Sequence, residues 1–162
     1  MSSCKNGCCH YETKIYERDL FIPRNKYKAG VFIYDSQNKK ILLVQSRGNL
    51  WGPPKGSVED NETIIECAHR EVREETGINL TDESICDNHK FIFNNSHYFY
   101  CPMDEVPVTL DTPMISIGTN DASGIGWFRL DCLRELILSK SININYHCKL
   151  LIQYFLKIAL PE

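Results

Sequence analysis

A chain of 162 residues with 43% hydrophobic and 24% charged side chains lies in the ordinary globular range, and its length suits one domain. Its net charge of −3 argues against a protein that coats nucleic acid by bulk charge, and no DNA partner is expected. No apolar run approaches the ~20 residues of a membrane helix, and the opening MSSCKNGCCHYETK lacks the apolar core of a secretory signal. An intracellular, cytoplasmic protein without a membrane partner is therefore expected.

In chain order, residues 1–27 are polar and read as an irregular extension, ahead of one domain over 28–162. Cys4, Cys8 and Cys9, with His10 next, have the composition of a zinc site. The spacing C-x3-C-C-H is not that of a standard finger, so a disordered tail is the favoured reading. If zinc binds there, His147 and Cys148 are the candidate completing ligands. The remaining cysteines, Cys67, Cys86, Cys101, Cys132 and Cys148, are scattered and read as small buried hydrophobes.

AGVFIYD (residues 29–35) and KILLVQSR (40–47) are β-branched and aromatic and read as neighbouring strands. The Gly and Pro content of residues 52–56 forbids regular structure. Residues 62–76 have helical spacing, with Asn61 as candidate N-cap and Gly77 as the stop. KFIFNNSHYFYC (90–101) reads as two strands about an Asn94-Asn95 break. GIGWFRL (124–130) is a short strand, and the next helix starts with Asp131 as candidate cap. The apolar NYHCKLLIQYFLKIAL (145–160) is an amphipathic helix that closes the core. Interleaved strands and helices make the class α/β, with a mixed sheet between helices.

The chemistry concentrates between residues 56 and 78. Glu71, Glu74 and Glu75 stand at i, i+3 and i+4, so a helix turns all three to one face. Carboxylates so crowded repel one another unless a cation neutralises them. Magnesium takes oxygen ligands, using a few carboxylates together with substrate phosphates. Arg70, four residues before Glu74, can pair with it and orient it.

The same stretch resembles the Nudix signature G-x5-E-x7-R-E-U-x-E-E-x-G-U, where U is bulky and aliphatic. All nine specified positions match: Gly56, Glu62, Arg70, Glu71, Val72, Glu74, Glu75, Gly77 and Ile78. The resemblance implies a Nudix-type α/β/α sandwich around a mixed sheet and a pyrophosphohydrolase that uses Mg2+, with Mn2+ as a substitute. It implies metal ligation by Glu71, Glu74, Glu75 and the backbone carbonyl of Lys55, with Glu62 supporting the helix. It also implies in-line hydrolysis of a phosphoanhydride.

Two flanking runs resemble the catalytic domain of messenger-RNA decapping enzymes, including compact viral ones. They are Trp51-Gly52-Pro53-Pro54-Lys55-Gly56 and Glu66-Cys67-Ala68-His69-Arg70-Glu71-Val72-Arg73-Glu74-Glu75-Thr76-Gly77. A third echo, residues 120–127, puts Asp121 where those enzymes carry a catalytic glutamate. Lys28, Arg47 and Lys55 are the candidate substrate-phosphate contacts. The expected substrate is capped RNA, cleaved to 7-methyl-GDP and a 5′-monophosphate chain. The alternatives are diadenosine tetraphosphate and a diphosphoinositol polyphosphate, both small pyrophosphates. Trp51, Tyr98, Phe99 and Tyr100 read first as packing residues, although one of Tyr98, Phe99 and Tyr100 could stack a purine.

Overall fold

The computed structural model describes residues 2–13, 26–46, 49–110 and 123–161, with backbone alone for 86–88. The elements run β1 (Ser2–Ser3), β2 (His10–Thr13), β3 (Lys28–Asp35), β4 (Lys40–Gln45), β5 (Trp51–Gly52), β6 (Lys55–Ser57) and α1 (Ile64–Thr76). They continue with β7 (Cys86–Phe93), β8 (Ser96–Pro102), β9 (Gly124–Arg129), α2 (Leu130–Leu138) and α3 (Tyr146–Leu156). The strands form one sheet in the order β1-β2-β9-β4-β3-β8-β7, with β5 added to β4 and β6 to β3. β3 and β8 pair in parallel over residues 28–34 and 96–102, and the other pairs are antiparallel. This is the mixed sheet that the interleaved pattern predicts.

The central strands are apolar on both faces because each face is covered by helix. Along β3, Val31 and Ile33 face α1 residues Cys67, Ala68 and Val72, while Phe32 faces the opposite core. β4 alternates in the same way, with Leu42 and Val44 on the α1 side and Ile41 and Leu43 on the other. β9 splits Trp127 from Phe128, and β8 splits Phe99 from Tyr98. The second core is roofed by Leu133, Leu136 and Ile137 of α2 and by Cys148, Leu151 and Ile152 of α3. The period-two switch of side-chain direction thus builds an α/β/α sandwich. Each wholly buried residue such as Phe32 or Ile33 contributes about 1.5–3 kcal/mol. No helix among the described residues is long and apolar enough to cross a membrane.

Local expectations are corrected at four places. The extension is not irregular throughout: β1 pairs with β2, and β2 joins the sheet through Tyr11↔Gly126, Glu12↔Ile125 and Thr13↔Gly124. Tyr11 is held there by Trp51 and Phe128, at ring centroid distances of 5.8 and 5.2 Å. Residues 52–56 are not free of strand, because Pro53 and Pro54 fall between the short pairings of β5 and β6 and need donate no ladder bond. Thr63, not Asn61, caps α1: its hydroxyl accepts from Glu66 N–H while the Glu66 carboxylate accepts from Thr63 N–H. Asp131 lies inside α2, where its carboxylate accepts from Cys132 N–H and the Arg129 guanidinium. The stop at Gly77 is as expected, with the glycine left-handed at φ 76°.

The cysteine cluster is also assembled differently from expectation. Cys4, Cys8 and Cys9 are joined by Cys132 of α2. His147 and Cys148 are not completing ligands. Both sit on α3, where the His147 ring takes a 2.6 Å hydrogen bond with the Tyr98 hydroxyl.

Candidate active site

α1 is positioned by its capping box at one end, by Gly77 at the other, and by Cys67, Ala68 and Val72 packed on the sheet. Its acidic face meets β6, and the approach is tight. A Cβ on Gly56 would stand 1.9 Å from Glu71 Oε1, so only glycine leaves room for the carboxylate. The Lys55 N–H donates to Glu75 Oε2 at 3.2 Å. The strand that carries Lys55 and Gly56 is therefore bonded to Glu75 and packed against Glu71, two of the three glutamates expected to ligate metal.

Arg70 organises the rest. It donates to Glu62 at 2.9 and 3.1 Å, to Glu71 at 2.8 Å, to Glu74 at 3.1 Å and to the Ser57 carbonyl at 2.9 Å. The Glu74 pairing is the one expected from the i, i+4 spacing. The two bonds to Glu62, eight residues back, are tertiary contacts. Burial pushes the Glu62 carboxyl up, but hydrogen bonds, foremost that from Arg70, outweigh it and hold Glu62 below its ordinary value. Glu71 stands otherwise. It is 9% exposed, burial raises its carboxyl, and Arg70 offsets that only in part while Glu74 adds repulsion. A buried carboxylate with two more glutamates on its helix face offers oxygen donors alone, the chemistry that a hard divalent cation takes.

On the sheet side, Lys28 of β3 and Lys55 of β6 lie on paired strands, where Lys28 opposes Ser57 and Gly30 opposes Lys55. Burial lowers the Lys55 amine, the Lys28 charge lowers it further, and Glu75 opposes both. The two lysines also act on His147, which burial first and then Lys55 and Lys28 push down to about 4. His147 is therefore neutral near pH 7. It stacks edge-on with Phe93 at 5.2 Å and with Tyr98 at 5.6 Å, and Phe93 touches Tyr146 at 5.9 Å. Tyr146 is 63% exposed. Lys55, beside Glu75, and its neighbour Lys28 thus lie near an aromatic rim, an arrangement suited to a phosphate chain that ends in a ring.

The structure brings together Lys28, Lys55, Arg70, Glu71, Glu74 and Glu75. Arg47 and Asp121 lie outside the described residues. Tyr98 and Phe99 are core residues, as is Trp51, and none is a stacking platform. His147, Phe93 and Tyr146 were not anticipated as neighbours of the site, because their helix and strand meet Lys28 and Lys55 only through packing. The one local hint was the position of His147 in the first turn of α3.

Residues 24–145 match the NUDIX domain family, which is well over half of the chain. The chain is a Nudix hydrolase. It is similar to protein 111R of Invertebrate iridescent virus 3, with 33% identity over 156 residues that cover 90% of this chain and 88% of that protein. It is also similar to the mRNA-decapping protein g5R of African swine fever virus, at 29% identity over 150 residues. That match covers 83% of this Nudix chain but only 60% of g5R. A bifunctional NMN adenylyltransferase/ADP ribose pyrophosphatase from Francisella tularensis shares the fold, with TM-score 0.61 and 24% identity over 86% of this chain and 42% of that one. The Nudix assignment makes this protein a pyrophosphohydrolase.

Proposed function

We propose that this Nudix hydrolase removes the cap from RNA, releasing 7-methyl-GDP and a 5′-monophosphorylated chain. The observation that carries the reading is the Lys28–Lys55 pair, with Lys55 beside Glu75, reached by the exposed Tyr146 ring through Phe93 and His147. The cations suit a polyphosphate bridge and the rim suits a purine. The similarity to a protein named for decapping supports the same substrate class.

In this reading Glu71, Glu74 and Glu75, with the Lys55 carbonyl, would hold magnesium, or manganese in its place. A magnesium ion held there would supply Lewis-acid polarisation of the phosphoanhydride and a lowered pKa for the attacking water. Arg70 positions Glu71 and Glu74 through its guanidinium and ties them to Glu62. Lys28, Lys55 and Arg47 bind the phosphate oxygens. Asp121 takes the proton from water as its oxygen bonds to phosphorus, and the opposite P–O bond breaks to release the second product as a phosphate.

The alternative is a small-molecule pyrophosphatase acting on diadenosine tetraphosphate or a diphosphoinositol polyphosphate. The net charge of −3 favours it. So does the last helix, where Lys149 and the C-cap Lys157 are the cations and Lys157 lies over the Tyr154 ring at 5.1 Å. The deciding experiment offers the protein, with magnesium, a capped RNA of several dozen nucleotides, free cap dinucleotide and both small pyrophosphates. A decapping enzyme prefers the long RNA and loses that preference as salt rises, because each phosphate contact on a single strand contributes a log–log slope of about 0.7. Equal or faster cleavage of a small pyrophosphate at low salt assigns the alternative. No product from any of the four substrates refutes the catalytic reading of the site.

A further inference from the structure

The Cys4, Cys8, Cys9 and Cys132 thiols lie away from the acidic helix, where α2 leaves β9. All four Sγ atoms are within 4.8 Å of one another. The Sγ–Sγ separations are 3.7 Å for Cys4–Cys8, 3.9 Å for Cys8–Cys9 and 3.4 Å for Cys8–Cys132. Four sulfurs about 2.3 Å from one zinc ion, at tetrahedral angles, stand about 3.8 Å apart. The three pairs through Cys8 lie near that spacing, all four sulfurs fall within 4.8 Å, and the ligand number is that of a four-thiolate site. Three of its members are buried and Cys8 is partly so.

Its surroundings suit thiolates. The Arg129 N–H donates to Cys9 Sγ at 3.1 Å, and the Asn6 amide donates to Cys132 Sγ at 3.6 Å. Such donors to sulfur are the outer contacts that orient metal-bound cysteines. Lys40 is close as well, its ammonium donating to the Cys8 carbonyl at 2.6 Å. The loop is folded for the purpose by Cys4 N–H to the Cys9 carbonyl and Gly7 N–H to the Cys4 carbonyl, with Gly7 left-handed at φ 68°. The adjacency of Cys8 and Cys9 in sequence is no obstacle in this geometry, since the other two ligands approach from Cys4 and from α2.

We propose that these four cysteines form a structural zinc site that fastens the β1–β2 hairpin to the β9–α2 corner. The hairpin has reason to need it. β1 spans two residues and β2 four, and Lys5, Asn6 and Gly7 between them are exposed. β2 is anchored by its pairing with β9, but β1 pairs with β2 over two residues alone, so this end of the sheet has little strand pairing of its own. Binding exchanges four S–H protons for four Zn–S bonds, with no oxidation. The free energy of that exchange goes to the folded hairpin. Cys132 is the ligand that makes the site tertiary, because it lies 123 positions beyond Cys9 in the chain.

The test is metal analysis of the full chain purified without chelator from zinc-supplemented medium, followed by replacement of the metal with cobalt. The expected result is about one zinc per chain, released by a thiol-modifying mercurial, and an intense visible cobalt spectrum typical of a tetrahedral thiolate site. Cys8→Ser and Cys132→Ser lose the ion and the spectrum, whereas Cys101→Ser, a buried cysteine outside the cluster, keeps both. The wild-type cobalt spectrum stands even if a variant fails to fold. Wild-type protein with neither zinc nor a cobalt thiolate spectrum overturns the proposal. So does a disulfide among the four cysteines, or iron in place of zinc.

Discussion

Replacing Arg70 by glutamine tests whether one guanidinium holds the acidic helix to the loop before it. The side chain is 16% exposed and Glu62, its two-bond partner, 12%. Removing one member of such a pair leaves a buried, uncompensated carboxylate and costs about 3–5 kcal/mol. Glu74, at 27% exposure, adds less than about 1 kcal/mol to that. Arg70→Gln should therefore lower stability by about 3–5 kcal/mol, or about 10 °C in Tm for a domain of this size. Arg70→Lys keeps the charge but cannot reach Glu62, Glu71 and the Ser57 carbonyl together, so its loss should be intermediate. The assay is urea unfolding in chelator, run as a double-mutant cycle with Glu62→Gln. In the Arg70→Gln background Glu62→Gln should be nearly neutral, since it removes the orphaned charge. A loss under about 1 kcal/mol for Arg70→Gln, or additivity within about 0.5 kcal/mol, refutes the assignment of Arg70 as the organising residue.

Glu74→Gln and Glu75→Gln should each abolish most turnover at saturating magnesium while leaving Tm near wild type; wild-type rates in either variant would remove that glutamate from the metal set. Asp121→Asn should lower kcat by about 10²–10⁴-fold with little change in KM, the usual worth of a positioned base, and a wild-type kcat would show that another group takes the proton. His147 contributes a pH dependence of stability. Its folded value is held at about 4 against about 6.5 unfolded, so in that interval the unfolded state binds the extra proton. The contribution is complete above about 6.5 and is lost as pH falls through the interval toward about 4. Urea midpoints followed across that range should rise less steeply with pH in His147→Gln than in wild type, and identical slopes would contradict the burial of a neutral imidazole.

The glutamate platform was legible in the sequence because it is a local property. Glu71, Glu74 and Glu75 share a face by the helical repeat alone, and the nine matched positions lie within 23 residues. The strands of the central sheet were equally legible, since Val31, Phe32 and Ile33, or Ile41 to Val44, form apolar runs of the kind a doubly covered strand carries. Shorter elements were missed where pairing rather than propensity makes them. Residues 10–13 become a strand because β9 offers an edge, and Lys55–Ser57 does so because β3 does. The α1 cap moved from Asn61 to Thr63 because the Glu66 reciprocal bond decides between two good capping residues.

What the sequence by itself determined is the chemistry that neighbouring residues can express: a Nudix helix, its acidic face and its glycine stop. Only the tertiary structure decided which distant groups surround that helix. It set Gly56 against Glu71, tied Arg70 to Glu62, placed Lys28 and Lys55 near His147, and brought Cys132 to three cysteines at the other end of the chain. The physical reason is range. Helical and strand periods are written by steric and solvation preferences acting over a few residues, whereas these contacts exist only after two helices and a sheet have closed on their apolar faces.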